Sequence, residues 1–426
     1  MKVSTEPMQN SQVLLNIEME TGEVDKYLDR AYQRLAKRVS VPGFRKGKVP
    51  KEVLVRYVGK EALFREALED LIPEVYAEAV ESQEIEPIAE PSFEIVQTEP
   101  LIFKAVVPLK PTVRLGDYNQ IKIETQPVEV TDAEIDAVLE QLREEHAVLS
   151  PVERPVAIGD EVTLDVQEVR EGKSIPLRQD LVYEVRAGSR LPLPGFAESL
   201  VGISKGEEKE VTLSYPADYE VAELAGKEHV FRVTIKDVKE KKLPGLDDEF
   251  ARMVGSDNLA SLRTRIADAI RARKELMARL DAEKRIMDAL VKVGQVEYPP
   301  VLVEAEIDRL LVDEARHFAE GVTGLERYLR ALGKTMADHR EELRADATQR
   351  LVRSLVLDEV VEAEKVEVTD SEVEEEIERM VANAGEGAER VREAFNSDDR
   401  KESVRRFLKR RKTMDILLER LVVKAG

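Results

Sequence analysis

The chain has 426 residues and a formal net charge of -21, with 42% hydrophobic, 35% charged and only 5% aromatic residues. The absence of Cys excludes disulfides, thiolate catalysis and Cys-based zinc sites. The acidic balance argues against broad non-specific binding to nucleic acid. No stretch approaches the roughly 18 apolar residues of a membrane span.

The length suggests roughly two to four domains. High charge with few aromatics suits long solvent-bathed helices better than one large core. The start, "MKVSTEPMQN", is polar and carries no apolar signal segment, so a cytoplasmic protein is expected.

Residues 1–112 read as an α+β unit. "QVLLNIEME" alternates through Val13, Leu15, Ile17 and Met19, a strand pattern. Val24, Leu28, Tyr32 and Leu35 then follow the helical period. Between Lys37 and Lys51 lies a turn-rich loop with no acid, holding Lys37, Arg38, Arg45, Lys46, Lys48 and Lys51 around Phe44. One or two helices follow, with a break near Gly59. "PSFEIVQ" and "LIFKAVVPL" read as closing strands, and all three strands fit one antiparallel sheet with helices on a face.

Residues 113–150 read as an extended piece and then a helix, with Thr131 as N-cap and Glu134 at the capping-box position. "VEVTDAEIDAVLEQL" at 128–142 resembles "VEVTDSEVEEEIERM" at 366–380. Two readings stand: any strong N-cap looks alike, or the two segments build equivalent helices.

Residues 151–245 read as a small antiparallel β domain. Val162, Leu164 and Val166 alternate, as do Val211 and Leu213, and then Phe231, Val233 and Ile235, with Gly and Pro marking the turns. From about Leu246 onward almost everything reads as helix. Leu259, Leu262, Ile266, Ile270, Met277, Leu280 and Met287 form a thin stripe on a helix that would be about 50 Å long if continuous. Long helices bordered by Pro299-Pro300 and acidic caps fit projecting hairpins rather than a globule.

No Gly-rich phosphate loop, G-x-S-x-G elbow or H-E-x-x-H motif is present. His146, His229, His317 and His339 are scattered singly and read as ordinary surface or interface histidines. Hydrolytic or redox catalysis by side chains has no support, and no cofactor or metal is expected. One reaction needs no nucleophile. Rotation about an X–Pro bond is slowed by amide resonance, and a dry apolar pocket disfavours the charge-separated form.

"GFRKGKVP" at 43–50 resembles the ribosome-docking signature of the bacterial trigger factor family. The segment 193–235, "LPGFAESLVGISKGEEKEVTLSYPADYEVAELAGKEHVFRVTI", resembles the second half of an FK506-binding-protein-type prolyl isomerase domain. The resemblance implies a multidomain α+β chain: a docking domain at 1–112, a linking helix at 113–150, an isomerase domain of antiparallel strands with a short helix at 151–245, and an all-α domain with long arms at 246–426. It implies docking through Gly43, Phe44, Arg45, Lys46, Gly47 and Lys48 to a ribosomal protein and ribosomal RNA near the polypeptide exit tunnel. It implies helical arms that cradle nascent and unfolded chains, and a homodimer away from the ribosome. The loop's own chemistry agrees: cations act at short range in physiological salt, and Phe44 supplies an anchor that loses its water on contact.

The isomerase likeness is broken in its first half. Val166 stands at a position where the family shows an aromatic. The next aromatic position falls in "GKSIPLRQD", where Ile175 or Leu177 would have to substitute. The pocket expected is Val166, Leu193, Phe196, Tyr219 and Phe231, with the Tyr219 hydroxyl donating to the substrate carbonyl. The expected activity is weak. The rivals are a chaperone whose isomerase fold is vestigial and a free prolyl isomerase that does not bind ribosomes.

Overall fold

The computed structural model describes every residue except 171–172, 190–192, 216–225 and 425–426, and every side chain among these except those of residues 21, 170, 173–175 and 424. It is a multidomain α+β chain with long C-terminal helices. Two compact units form: Met1–Gln126 with Arg279–Gly426, and Pro127–Ala278.

The chain opens with β1 (Lys2–Met8), β2 (Gln12–Met19), α1 (Thr21–Arg38), α2 (Lys51–Val58), α3 (Lys60–Ser82), β3 (Ser92–Thr98) and β4 (Leu101–Pro108). The strands form one antiparallel sheet in the order β1-β2-β4-β3. The alternation in β2 and β4 sends Val13, Leu15, Ile17 and Met19, with Leu101, Phe103, Ala105 and Val107, into one core. There they meet Tyr27 and Ala31 of α1 and Leu63, Ala67 and Leu71 of α3. Strand β1 was not expected. Its side chains are almost all exposed, so no apolar period marks it, and backbone pairing from Lys2↔Glu18 to Met8↔Gln12 holds it. The break between α2 and α3 falls at Gly59, whose φ of 90° lies outside the range that L side chains adopt easily. Short strands β5 (Thr112–Arg114) and β6 (Ile123–Thr125) end this part.

The second unit holds α4 (Asp132–Glu145), β7 (Val148–Pro151), β8 (Glu161–Arg170), β9 (Lys173–Glu184), α5 (Phe196–Leu200), β10 (Glu208–Ser214), β11 (Glu228–Lys242) and α6 (Asp248–Met253), and the start of α7 (Leu259–Val293). Its sheet runs β10-β11-β8-β9, with β7 pairing the far end of β11. Strand β9 was not among the expected strands. It is a sheet edge, and Leu177 and Val182 on it are exposed, which blurs the alternation. Helix α4 buries Ile135 and Leu139 against Phe250 of α6 and Leu262 and Ile266 of α7.

Helix α7 is one continuous element of 35 residues, about 52 Å at 1.5 Å per residue. Only part of the apolar stripe is core: Leu262 and Ile266 are buried, while Met277 and Leu280 are 58% and 50% exposed; toward the helix end the buried residues are Ile286 and Leu290, which lay outside the stripe. After it come β12 (Gln295–Glu297), α8 (Pro300–Ala315), α9 (Val322–Ala331), α10 (Met336–Glu364), α11 (Asp370–Asn383), α12 (Ala388–Ala394), α13 (Asp398–Leu421) and β13 (Val422–Lys424). Strand β12 pairs β5, and β13 pairs β6 in parallel. Ile123 thereby joins a core with Ile286 and Leu290, Val356 and Val360 of α10, and Leu417 and Leu421 of α13. A second cluster joins α8, α9 and α10 through Ile307, Leu311, Leu325, Leu329 and Ala347.

The two "VEVTD" segments are alike beyond their caps. Thr131 accepts from the Glu134 backbone and Thr369 from that of Glu372, and each Glu reaches back to its own N-cap. Each Glu also binds a lysine from a long helix, Lys274 of α7 at 2.6 Å and Lys412 of α13 at 2.6 Å. The same lysines donate to the carbonyls of Glu129 and Glu367, both two residues before their cap. Ile135 and Leu139 are matched by Val373 and Ile377, each pair buried against its own partner helix.

Candidate functional site

The basic loop is built in two tiers. Its base is apolar. Val41 and Val49 are buried with Ala36 and Leu54, and the Tyr32 hydroxyl donates to the Val49 carbonyl at 2.6 Å. The Gly47 amide donates to the Ala36 carbonyl at 2.7 Å. Gly43 and Gly47, at φ of 86° and 79°, provide the left-handed turns that fold the tip back. Every residue from Pro42 to Lys48 is exposed, including Phe44 at 42%. Lys51 pairs with Asp29, and Arg38 with Glu66 at 3.3 Å. Arg45, Lys46 and Lys48 have no ion-pair partner among the described residues. The six tip positions singled out from the sequence thus share one surface. Exposed cations and an exposed ring on a fixed base can meet phosphate or carboxylate without first breaking an internal ion pair.

The second candidate lies in the β8–β11 sheet. Val166, Leu193, Phe196 and Phe231 come together in one core, 7%, 5%, 1% and 4% exposed. Tyr219 lies outside the described residues, as does the side chain of Ile175. Leu177 does not take the place of a missing aromatic: it is 46% exposed, because β9 turns it away from the core. Two aromatics that were not singled out pack against this core. Tyr183 meets Phe196 edge-on with ring centroids 5.2 Å apart, and Tyr215 leans on Phe231 at 6.4 Å. Both follow sequence alternations, Leu181-Tyr183-Val185 and Val211-Leu213-Tyr215, which carried the signal. Beside them Glu168, only 5% exposed, bonds the His229 Nδ1 at 2.5 Å, and Tyr215 stands edge-on to the His229 ring at 5.1 Å. His229 is therefore an inward hydrogen-bond partner of Glu168 rather than an ordinary surface or interface histidine.

A third feature is scattered apolar exposure on helices. Tyr328 of helix α9 and Leu332 at its C-cap, four residues apart, are 52% and 56% exposed, and α13 exposes Phe407 at 50%. On α7, Leu276 and Met277 are 56% and 58% exposed. Two other histidines are structural: His146 caps α4 and meets Phe250 edge-on, and His339 bridges Glu314 at 2.6 Å and Glu342 at 3.4 Å; His317 is exposed. Burial works against the protonated form of His339, but the two carboxylates outweigh it and raise its pKa. Among the described residues no group of acids and histidines could hold a metal ion, and no helix is long and apolar enough to cross a membrane.

Family models of the bacterial trigger factor protein match residues 1–142, and of its C-terminus residues 258–419. A trigger factor of Dehalococcoides mccartyi is 36% identical over 98% of this chain and 94% of its own length. One from Moorella thermoacetica is 40% identical over 89% of this chain and 86% of its own, and one from Geobacillus thermodenitrificans 36% over both full lengths. A solved trigger factor chaperone, described for promiscuous substrate recognition in folding and assembly activities, shares the fold: TM-score 0.54, 24% identity, covering 98% of this chain and 99% of that one. The chain belongs to the bacterial trigger factor family and is a chaperone of that type.

Proposed function

We propose that this chaperone works in the cytoplasm, docked to the ribosome beside the polypeptide exit tunnel, where it holds nascent and unfolded chains and slowly isomerises their X–Pro bonds. In this reading 1–112 is the docking domain, 151–245 the isomerase domain, and 246–426, packed with 113–150, the client-binding domain. The observation that carries docking is the split loop: Val41 and Val49 buried at the base, and everything from Pro42 to Lys48 offered to a partner. Phe44 is the anchor, while Arg45, Lys46 and Lys48 supply charge for RNA phosphate or an acidic protein surface. The exposed Tyr328, Leu332 and Phe407 are the apolar surface for clients. The isomerase pocket is the apolar floor of Val166, Leu193, Phe196 and Phe231, with Tyr219 as the candidate donor.

The test is co-sedimentation with ribosomes. Replacing Phe44, Arg45 and Lys46 together with Ala abolishes binding and leaves the thermal midpoint unchanged, since the three touch no core. Ribosome binding at the wild-type level in that variant would sink the docking reading and favour a free isomerase. A proline-limited refolding assay on the wild type separates the isomerase reading from a chaperone with a vestigial barrel.

A further inference from the structure

Glu168 sits where the strand pattern calls for an apolar residue. On β8, Val162, Leu164 and Val166 face the core, and Glu168 is the next residue of that parity. It lies directly across from Phe231 in the β8–β11 register. His229 precedes Phe231 on the same face of β11 and is paired with Leu213 of β10. The carboxylate oxygen and the imidazole Nδ1 are 2.5 Å apart, with the side chains 6% and 15% exposed. Burying such a pair costs much of what its attraction returns, and an apolar pair of similar volume would hold a barrel at least as well. What the pair does provide is direction. A carboxylate fixes the imidazole plane, and that ring is the surface on which Tyr215 stands, with interplanar angle 83°. Tyr215 in turn leans on Phe231 at 54°.

We propose that Glu168 and His229 are positioning residues for X–Pro isomerisation. They lock Tyr215 against Phe231, and so furnish by a hydrogen bond the aromatic wall that Val166 no longer supplies. The proposal rests on the isomerase reading above. The pair acts through Tyr215 and Phe231 and requires no contact of its own with the substrate. A loosened wall still admits the proline ring but samples the productive arrangement less often, so kcat falls while KM holds.

The test is steady-state isomerisation of an X–Pro peptide by the full chain carrying Glu168→Leu/His229→Leu, with near-UV circular dichroism as the check on folding. Removing both partners leaves neither Glu168 nor His229 buried without the other, so the fold is kept where either single change to Leu would strand one of them. The expected result is a fall in kcat of about fivefold or more, as for the loss of one aligned hydrogen bond, with KM unchanged. Glu168→Gln keeps an oxygen acceptor for the imidazole and should recover most of that loss. A folded double variant with wild-type kcat overturns the proposal and leaves the isomerase reading standing. An inactive wild type overturns the isomerase reading and this proposal with it.

Discussion

The basic loop and the β8–β11 sheet use the same residue type in opposite ways. Phe44 is 42% exposed on a tip whose cohesion lies elsewhere, in Val41, Val49 and Leu54. Phe196 and Phe231 are 1% and 4% exposed, and in the isomerase reading the surface proposed for substrate is also the core that keeps the sheet folded. Contact and stability are separable in the first region and fused in the second. In the docking reading, mutations report function directly in the loop, while in the sheet they report folding first.

The largest effect that sharpens this contrast is removal of the barrel itself. Lys242 pairs with Val148, so the chain enters and leaves the barrel side by side. Deleting 148–242 and joining Ala147 to Leu243 through two glycines leaves the α4, α6 and α7 core of Leu139, Phe250 and Leu262 in place. Isomerase activity should vanish completely, while suppression of aggregation of an unfolded client continues at the wild-type level. Loss of solubility or of holding would show that the barrel is not a separable body.

Next in size are the phenylalanines. Phe196→Ala should cost about 3–5 kcal/mol in chemical denaturation of the barrel, the usual range for emptying a buried ring site. Phe44→Ala should stay within about 0.5 kcal/mol of wild type yet weaken ribosome binding. Phe231→Ala belongs with Phe196→Ala and cannot report on catalysis alone. Equal stability losses at Phe44 and Phe196 would erase the distinction between tip and core.

A smaller effect probes the joint between the loop's two tiers. Tyr32→Phe removes the hydroxyl that holds the Val49 carbonyl, at a cost of about 1 kcal/mol. It changes nothing on the exposed tip, so a measurable loss of ribosome affinity would show that the base positions Phe44. Unchanged affinity would mean that the tip finds its partner without help from its base.

The same contrast explains how far the sequence could be read. The loop was legible because its parts are consecutive: Gly43 through Lys48 act as neighbours, and the buried base falls on the flanking valines. The sheet core of Val13, Leu15, Ile17 and Phe103 was legible because alternation is a local signal. Tyr183 and Tyr215, which meet Phe196 and Phe231, were not, because those contacts are assembled across strands. Leu177 and Tyr183 sit six residues apart on β9, and only the register with β8 decides that one faces out and the other in. Glu168 was not singled out, since its inward parity matters only once the β8–β11 register sets it across from Phe231 and within reach of His229. Strand β1 stayed hidden for the opposite reason, being held by backbone bonds that leave no mark in side-chain pattern.

The smallest expected effect concerns the paired capping boxes. Lys274 beside Glu134, aided by hydrogen bonds from Thr131, holds that carboxyl down at about 2, against an ordinary 4.5. Lys412 and the Thr369 amide lower Glu372 in the same way. A carboxyl lowered by folding stabilises the native state fully above its ordinary value, and that contribution fades as pH falls through the lowered one. The caps of α4 and α11 should therefore hold at neutral pH and loosen only below about pH 4, as acid reaches each Glu. Both carboxyls are solvent-exposed, so the effect is on local fraying rather than on global unfolding. Side-chain NMR titration gives the check. Glu134 should titrate near 2, and Lys274→Met should move it toward 4.5 while leaving Glu372 where it was. Lys412→Met should do the reverse. If Glu134 titrates at its ordinary value in the wild type, the lysine is a crowded neighbour rather than a partner, and the likeness of the two segments ends at their threonine caps.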